Sequence, residues 1–298
     1  MKSLFCIVAI LSLALVSCVE NLPETEMPDV DNGAITMIKA TVEPLQLKGA
    51  TGVGNYSWNE THTIGIYGST MGENECYLPI RSKLGSNEAY FYGNKVGGDL
   101  ILYMPYVETG SETALNNRVT VPAEQKYYAD VFDHFMYNST FVGVGNIDAV
   151  SFDYHAGLVK IEIQYNIQNI ESVSVTVGNI TLDGSYNSYI VGDISVDSDV
   201  EEYLVNGSDR IVITDFPEGV HSTVDKPAVV WALAAPGIYE NLVVEIKSDE
   251  GTTSATVKGP FVVEKCAVAE QVCTAKEIKY DNGIGDFEGE NGEFNPKN

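Results

Sequence analysis

Apolar residues recur at every second position along much of this chain. Ile38, Ala40 and Val42 alternate with Lys39 and Thr41, and Ile64 and Ile66 repeat the pattern after Trp58. Val159, Ile161 and Ile163 alternate with Lys160, Glu162 and Gln164; Val173, Val175 and Val177 alternate with Ser174 and Thr176. Ile211 and Ile213, then Leu242, Val244 and Ile246, continue the series. Two short continuous apolar runs, 100–103 and 228–235, read as further strands. A period of two buries one face of a strand and wets the other, and clusters of Gly, Asn, Asp and Pro between the runs supply turns. Helical periodicity is scarce; residues 122–137 hold a short helical turn at most. Many short strands separated by turns predict an all-β fold of two β-sandwich domains.

The alternation breaks at 166–171, NIQNIE, where two Asn interrupt it. This places an N-terminal β-sandwich domain at 34–168 and a C-terminal β-sandwich domain at 169–280. Both flanks have a different character. Residues 18–33 are acidic, carry two prolines and contain no Lys or Arg. Such a stretch cannot bury enough apolar surface to fold, and it reads as a solvated tether. Residues 281–298 are acidic and Gly-rich and read as a tail.

The first residues change the picture most. Lys2 precedes an apolar run from Leu4 to Val16, and Leu15-Val16-Ser17-Cys18 closes it. A basic start, a short apolar core and small residues before a cysteine form a secretory signal with a lipoprotein cleavage box. Residues 1–17 are then the signal peptide, and Cys18 carries the lipid. Two other readings are an ordinary signal with an unmodified cysteine and a retained anchor. The anchor reading suffers from length, since a span needs about 20 apolar residues. The expected location is the outer membrane, lipid-anchored at the cell surface.

Charge narrows the partners. The formal net charge is −25 over 298 residues. That argues against nucleic acid, whose binders carry a basic footprint, and against direct attraction to anionic lipid headgroups. Cys266 and Cys273 are six residues apart in an exported chain, where disulfides persist. A disulfide across a hairpin and two buried free thiols are both open readings. No Cys/His spacing suggests zinc.

No G-x-S-x-G, H-E-x-x-H or phosphate-cradling loop is present, and the four histidines fall in separate segments. We expect no enzyme, no catalytic residue, no metal site and no cofactor. His155 lies beside Asp153, and reads as a hydrogen-bonded strand residue near a bulge at Ala156-Gly157. Asp193, Asp197, Asp199, Glu201 and Glu202 lack the turn-forming Gly of a calcium loop and read as a solvated acidic loop. Tyr127, Tyr128 and Tyr186 are candidates for stacking on sugar faces, although Tyr also suits strands.

Several short elements, in order, resemble the fimbrillin family of Bacteroidales, the Mfa-like and FimA-like lipoproteins of type V pili. Trp58 opens W-N-E-T-H-T-I-G-I-Y, with Thr63 where the family carries an acidic residue. Tyr90-Phe91-Tyr92-Gly93 is similar to its aromatic–Gly strand, and Leu102-Tyr103-Met104-Pro105-Tyr106 to its Tyr-x-Pro-Tyr element. Val121-Pro122-Ala123-Glu124-Gln125 resembles its Val/Leu-Pro-x-x-Gln turn. Phe152-Asp153-Tyr154-His155-Ala156 resembles its Phe-x-His strand, with His155 displaced by one place. The resemblance implies a transthyretin-like second domain and a subunit that joins other pilin subunits by strand exchange after a protease removes its first strand. Two departures weigh against a shaft role. No Arg lies between Cys18 and Arg81, leaving Lys39 and Lys48 as basic cleavage positions, and the tail does not alternate as a donor strand should. The expected function is a structural or adhesive pilus subunit at a tip, anchor or accessory position, with a host protein or glycan as ligand. The alternative is a stand-alone surface lipoprotein that binds host or dietary glycans.

Overall fold

The computed structural model describes residues 35–68, 74–145, 149–178, 186–196, 204–274 and three short pieces at 279–280, 285–287 and 294–296. The signal, Cys18 and the tether lie outside the described residues. The first strands are β1 (Ile35–Val42), β2 (Ile64–Gly68), β3 (Asn74–Pro79), β4 (Glu88–Asn94) and β5 (Leu100–Met104). A four-residue helix α1 (Glu112–Leu115) precedes β6 (Arg118–Val121) and β7 (Glu124–Lys126), and helix α2 spans Val131–Asn138. Then come β8 (Phe141–Gly145), β9 (Ala149–Phe152), β10 (Gly157–Ile163), β11 (Ile170–Gly178), β12 (Val191–Ser195), β13 (Val205–Ser208) and β14 (Arg210–Thr214). β15 (Ala228–Ala234), β16 (Gly237–Ser248), β17 (Gly251–Val263), β18 (Val268–Thr274) and β19 (Lys279–Tyr280) complete the main sheets. The chain is all-β, as its alternation predicts.

The first sheet runs β1-β4-β3-β2-β5-β8-β9 and closes on itself. β1 makes the closure. It pairs antiparallel with β4, Ile38 opposite Phe91, and parallel with β9, Val42 opposite Phe152. Its alternate residues Ile38, Ala40 and Val42 point inward and are fully buried. Trp58 fills the interior against Phe91, with ring centroids 4.8 Å apart in an edge arrangement, and its indole N–H donates to Asn87 O at 3.0 Å. Gly65 on β2 is required by close approach: a Cβ there would lie 2.1 Å from the Tyr103 ring.

The remaining strands form a six-stranded sheet, β19-β17-β16-β11-β14-β7, and a three-stranded sheet, β15-β10-β18. Val159, Ile161 and Ile163 of β10 and Val173 and Val175 of β11 are buried, as are Leu242, Val244 and Ile246 of β16. A smaller sheet, β13-β12-β6, lies beside them. Hydrogen bonding crosses residue 168 repeatedly. β6 pairs with β12, β7 with β14, and β10 with both β15 and β18. One continuous hydrophobic core joins the barrel to the sandwich.

Two local features depart from the sequence pattern. Residues 122–137 divide into strand β7 and helix α2, whose N-terminus is capped by Asp130: its carboxylate accepts from Phe132 N at 2.8 Å and Asp133 N at 3.1 Å. β17 is long yet shows little alternation, because its inward positions include Thr253 and Ala255. A short paired ribbon, Gly285–Phe287 with Phe294–Pro296, lies within the acidic tail.

Candidate functional site

Three arrangements gather chemistry or binding capacity. The first is the β1 seam. β1 is hydrogen-bonded on both flanks, so its loss would expose backbone groups of β4 and β9 together with the cavities of Ile38, Ala40 and Val42. Lys39 lies on its outer face and pairs with Glu88 at 2.9 Å. Lys48 follows the strand. Its ammonium meets Glu264 at 2.8 Å, while its backbone N–H donates to Cys266 O at 3.0 Å and its carbonyl accepts from Val268 N at 2.8 Å. The leading segment is therefore stitched to the start of β18.

The second is a polar clasp at Gln125. Its carboxamide, almost fully buried, accepts from Leu233 N at 2.8 Å and donates to Leu233 O at 2.7 Å and to Pro122 O at 2.9 Å. One side chain thus meets both backbone groups on the outer edge of β15, as a further strand would. His134 Nε2 adds a contact of 3.2 Å to Gln125 Oε1. Burial holds the His134 imidazole neutral, its pKa pushed down to about 3. Among the described residues, His134 Nδ1 and the Tyr154 hydroxyl are the buried side-chain atoms without a hydrogen-bond partner. The Val-Pro-x-x-Gln element of the sequence carries this clasp, although its spacing alone gives no hint of the partner strand.

The third is a pair of depressions at the end of β5. Both are walled by Met104, Pro105 and Phe141, so they adjoin. The smaller, about 130 Å³, has an aromatic wall of Tyr56, His62 and Tyr137. Tyr137 lies on the outer face of α2 and is 37 % exposed. Its ring is braced by Tyr128 at 5.5 Å, Tyr56 at 5.9 Å and His62 at 6.3 Å between centroids. His62 is itself fixed: Nδ1 meets the Tyr56 hydroxyl and accepts from Asn59 N, both at 3.3 Å, and Nε2 meets Asn59 Nδ2 at 3.1 Å. Burial pushes its pKa down to about 4, so the ring is neutral at pH 7.

The larger depression, about 330 Å³, is mixed, with polar groups set among Met104, Pro105, Val107 and Phe141. Its lining includes Glu112 and Thr113 of α1, Arg118 and Thr120 of β6, and Asn206 of β13. Buried Asp193 organises the last three, two through its carboxylate and one through its backbone. Thr120 Oγ1 donates to Asp193 Oδ1 at 2.7 Å, Asn206 Nδ2 donates to Asp193 Oδ2 at 2.8 Å, and Arg118 donates to the Asp193 carbonyl at 3.2 Å. Asn206 holds a left-handed backbone, φ 54°, which Asn tolerates better than most residues.

Several sequence candidates fall elsewhere. Asp193 is buried on β12 rather than in a solvated acidic loop, while Asp197, Asp199, Glu201 and Glu202 lie outside the described residues. Among the described residues, no three His, Cys, Asp or Glu side chains gather as metal ligands. His155 is half-buried in the link between β9 and β10; burial and the nearby Lys265 push its pKa down to about 4. Tyr127, half-buried, stacks on Phe216 at 4.3 Å, and Tyr128 backs Tyr137.

Cys266 is a free thiol that faces the Tyr154 carbonyl at 3.9 Å, and burial raises its pKa. The Cys273 side chain and Cys18 lie outside the described residues.

No protein-family profile matches the chain, and no curated protein matches it. Three solved structures overlap it loosely. One is described as a "putative cell adhesion protein" from Bacteroides ovatus, at 12 % identity and TM-score 0.37, covering 77 % of this chain and 88 % of that one. A second carries the same description, from Bacteroides fragilis, at 11 % identity and TM-score 0.38, covering 78 % and 90 %. The third is the tip fimbrial protein Mfa3 from Porphyromonas gingivalis, at 10 % identity and TM-score 0.26, covering 75 % and 81 %.

Proposed function

We propose that this chain is a fimbrillin-like subunit of the cell surface, lipid-anchored through Cys18, that joins other pilin subunits by β-strand donation and has no active site. The observation that carries this reading is the state of β1: paired on both flanks, with Ile38, Ala40 and Val42 buried in the barrel. A strand from a neighbour with the same alternation would restore both sets of backbone hydrogen bonds, and the vacated cavities would select its side chains. Cleavage after Lys48 would release β1 together with Leu45 and Leu47, both buried. Because the Lys48 backbone is bonded to Cys266 and Val268, it must first detach from β18 to enter a protease. Slow cleavage favours a tip, anchor or accessory position over a shaft.

The test is limited trypsin digestion of the purified chain, followed by gels and electron microscopy. Loss of residues up to 48 with the appearance of oligomers is the expected result. A clipped chain that stays monomeric at high concentration would overturn strand donation. Separately, Cys18→Ser is expected to move the protein from the membrane fraction to the soluble fraction. Retention in the membrane would refute the lipid anchor. A stand-alone, ligand-binding surface role is the second reading, favoured by the exposed aromatic cluster around Tyr137.

A further inference from the structure

We infer that the two adjoining depressions at the end of β5 form one binding track for an uncharged oligosaccharide, with a stacking end at Tyr137 and a hydrogen-bonding end at Arg118, Thr120 and Asn206. This rests on the ligand-binding reading and is independent of strand exchange.

Four features converge on that ligand class. The first is the ring of Tyr137. It is exposed on one side and held by Tyr56, His62 and Tyr128 on the others, so little motion is lost when a flat apolar surface lies against it. Sugar rings offer such a surface on their C–H faces. The second is the character of the polar end. Guanidinium, carboxamide, hydroxyl and carboxylate groups present donors and acceptors together, which suits hydroxyls that act as both. The third is preorganisation. Asp193, 5 % exposed, accepts from Thr120 and Asn206 through its carboxylate and from Arg118 through its backbone, so the three groups are positioned before any ligand arrives. The fourth is charge. With a net charge of −25, the chain repels polyanions, and the exposed Glu112 lines the same depression as Arg118. An acidic glycan would meet both.

The length of the ligand follows from the layout. Met104, Pro105 and Phe141 separate the two ends, and Pro105 is exposed on the ridge between them. A single sugar would occupy one end. At least two linked rings would engage both, and the 330 Å³ end that carries Arg118, Thr120 and Asn206 lies at the lower limit of common small-ligand pockets.

The experiment is binding of the purified chain to an array of neutral and acidic glycans, followed by calorimetry with cellohexaose, maltohexaose, mannohexaose and chitohexaose. Binding to at least one neutral oligosaccharide is expected, insensitive to salt. Tyr137→Ala should weaken it about tenfold, the scale of one lost ring contact. Tyr137→Phe should retain most of it, because the ring remains. Asn206→Ala should weaken it severalfold, and a double variant should lose it. Unchanged melting temperatures would show that the exposed substitutions leave folding intact. No binding to any neutral glycan, binding unaffected by Tyr137→Ala, or a preference for acidic glycans that salt abolishes would each overturn the inference. If trypsin-clipped chains fail to assemble yet intact chains bind glycan, strand donation fails and the track stands; the reverse outcome separates them equally well.

Discussion

The barrel and the sandwich fill their interiors with different side chains. The barrel is packed by rings, with Trp58, Phe91, Phe141 and Phe152 meeting edge to face. The sandwich is packed mainly by Val, Ile and Leu from facing sheets, with Tyr239 and Phe261 among them. Their edges differ as well. Every barrel strand is paired on both sides, β1 completing the circle, whereas the sandwich has outer strands such as β15, whose edge is met by the Gln125 side chain. A closed sheet has no edge, so it can offer one only by giving up a strand. Large rings also reach the surface where the packing ends, and the Tyr56–Tyr137 cluster is the outcome. On the sandwich side a smaller, half-buried pair, Tyr127 and Phe216, stacks at 4.3 Å.

The strongest way to break this comparison is Trp58→Ala. Removing a buried indole should destabilise the chain by about 3–5 kcal/mol. The chain has two tryptophans, Trp58 in the barrel and Trp231 on β15. In this variant Trp231 alone reports on the sandwich. The continuous core predicts that its fluorescence transition in urea shifts to lower denaturant by the full amount. A sandwich that holds its original midpoint would mean two independent units.

Gln125→Leu tests the join itself. It leaves the N–H and C=O of Leu233 buried without this partner, at about 1–3 kcal/mol each. The expected readout is a lowered denaturation midpoint with faster hydrogen exchange at Leu233 than at Val175. Equal exchange would show that Gln125 is incidental to β15.

Acid sharpens the difference at His134. Its pKa in the fold is about 3 against an ordinary 6.5, so as pH falls below 6.5 the unfolded chain takes up a proton that the folded chain refuses. Stability from this group is full above pH 6.5 and is lost as pH falls toward about 3. His134→Gln should flatten the loss between pH 6.5 and 4.5, measured by urea midpoints. An unchanged slope would assign the acid sensitivity to other groups. The smallest effect belongs to Lys160→Met on the outer face of β10, where the pair with Glu162 is partly exposed; about 0–1 kcal/mol is expected. A larger loss would mean that the pair does more than decorate the sandwich.

Much of the fold was legible because period-two alternation is a local signal. Ile38, Ala40 and Val42, or Val173 and Val175, announce an inward face without knowledge of any partner. β17 was hidden because Thr253 and Ala255 take inward positions that hydropathy does not mark. The aromatic–polar track was almost wholly hidden. Tyr56 and His62 share one connection, while Tyr137, Arg118, Asp193 and Asn206 come from four others, and nothing in their spacing announces a meeting.

The order of residues determined the all-β class, the acidic balance and the positions of most strands, since each depends on the chain itself rather than on its folding partners. Tertiary structure alone decided that β1 closes a barrel, that Cys266 faces the Tyr154 carbonyl, and that Gln125 meets Leu233. These depend on strand pairing between residues distant in sequence, where register and sheet order are set by the whole core packing at once.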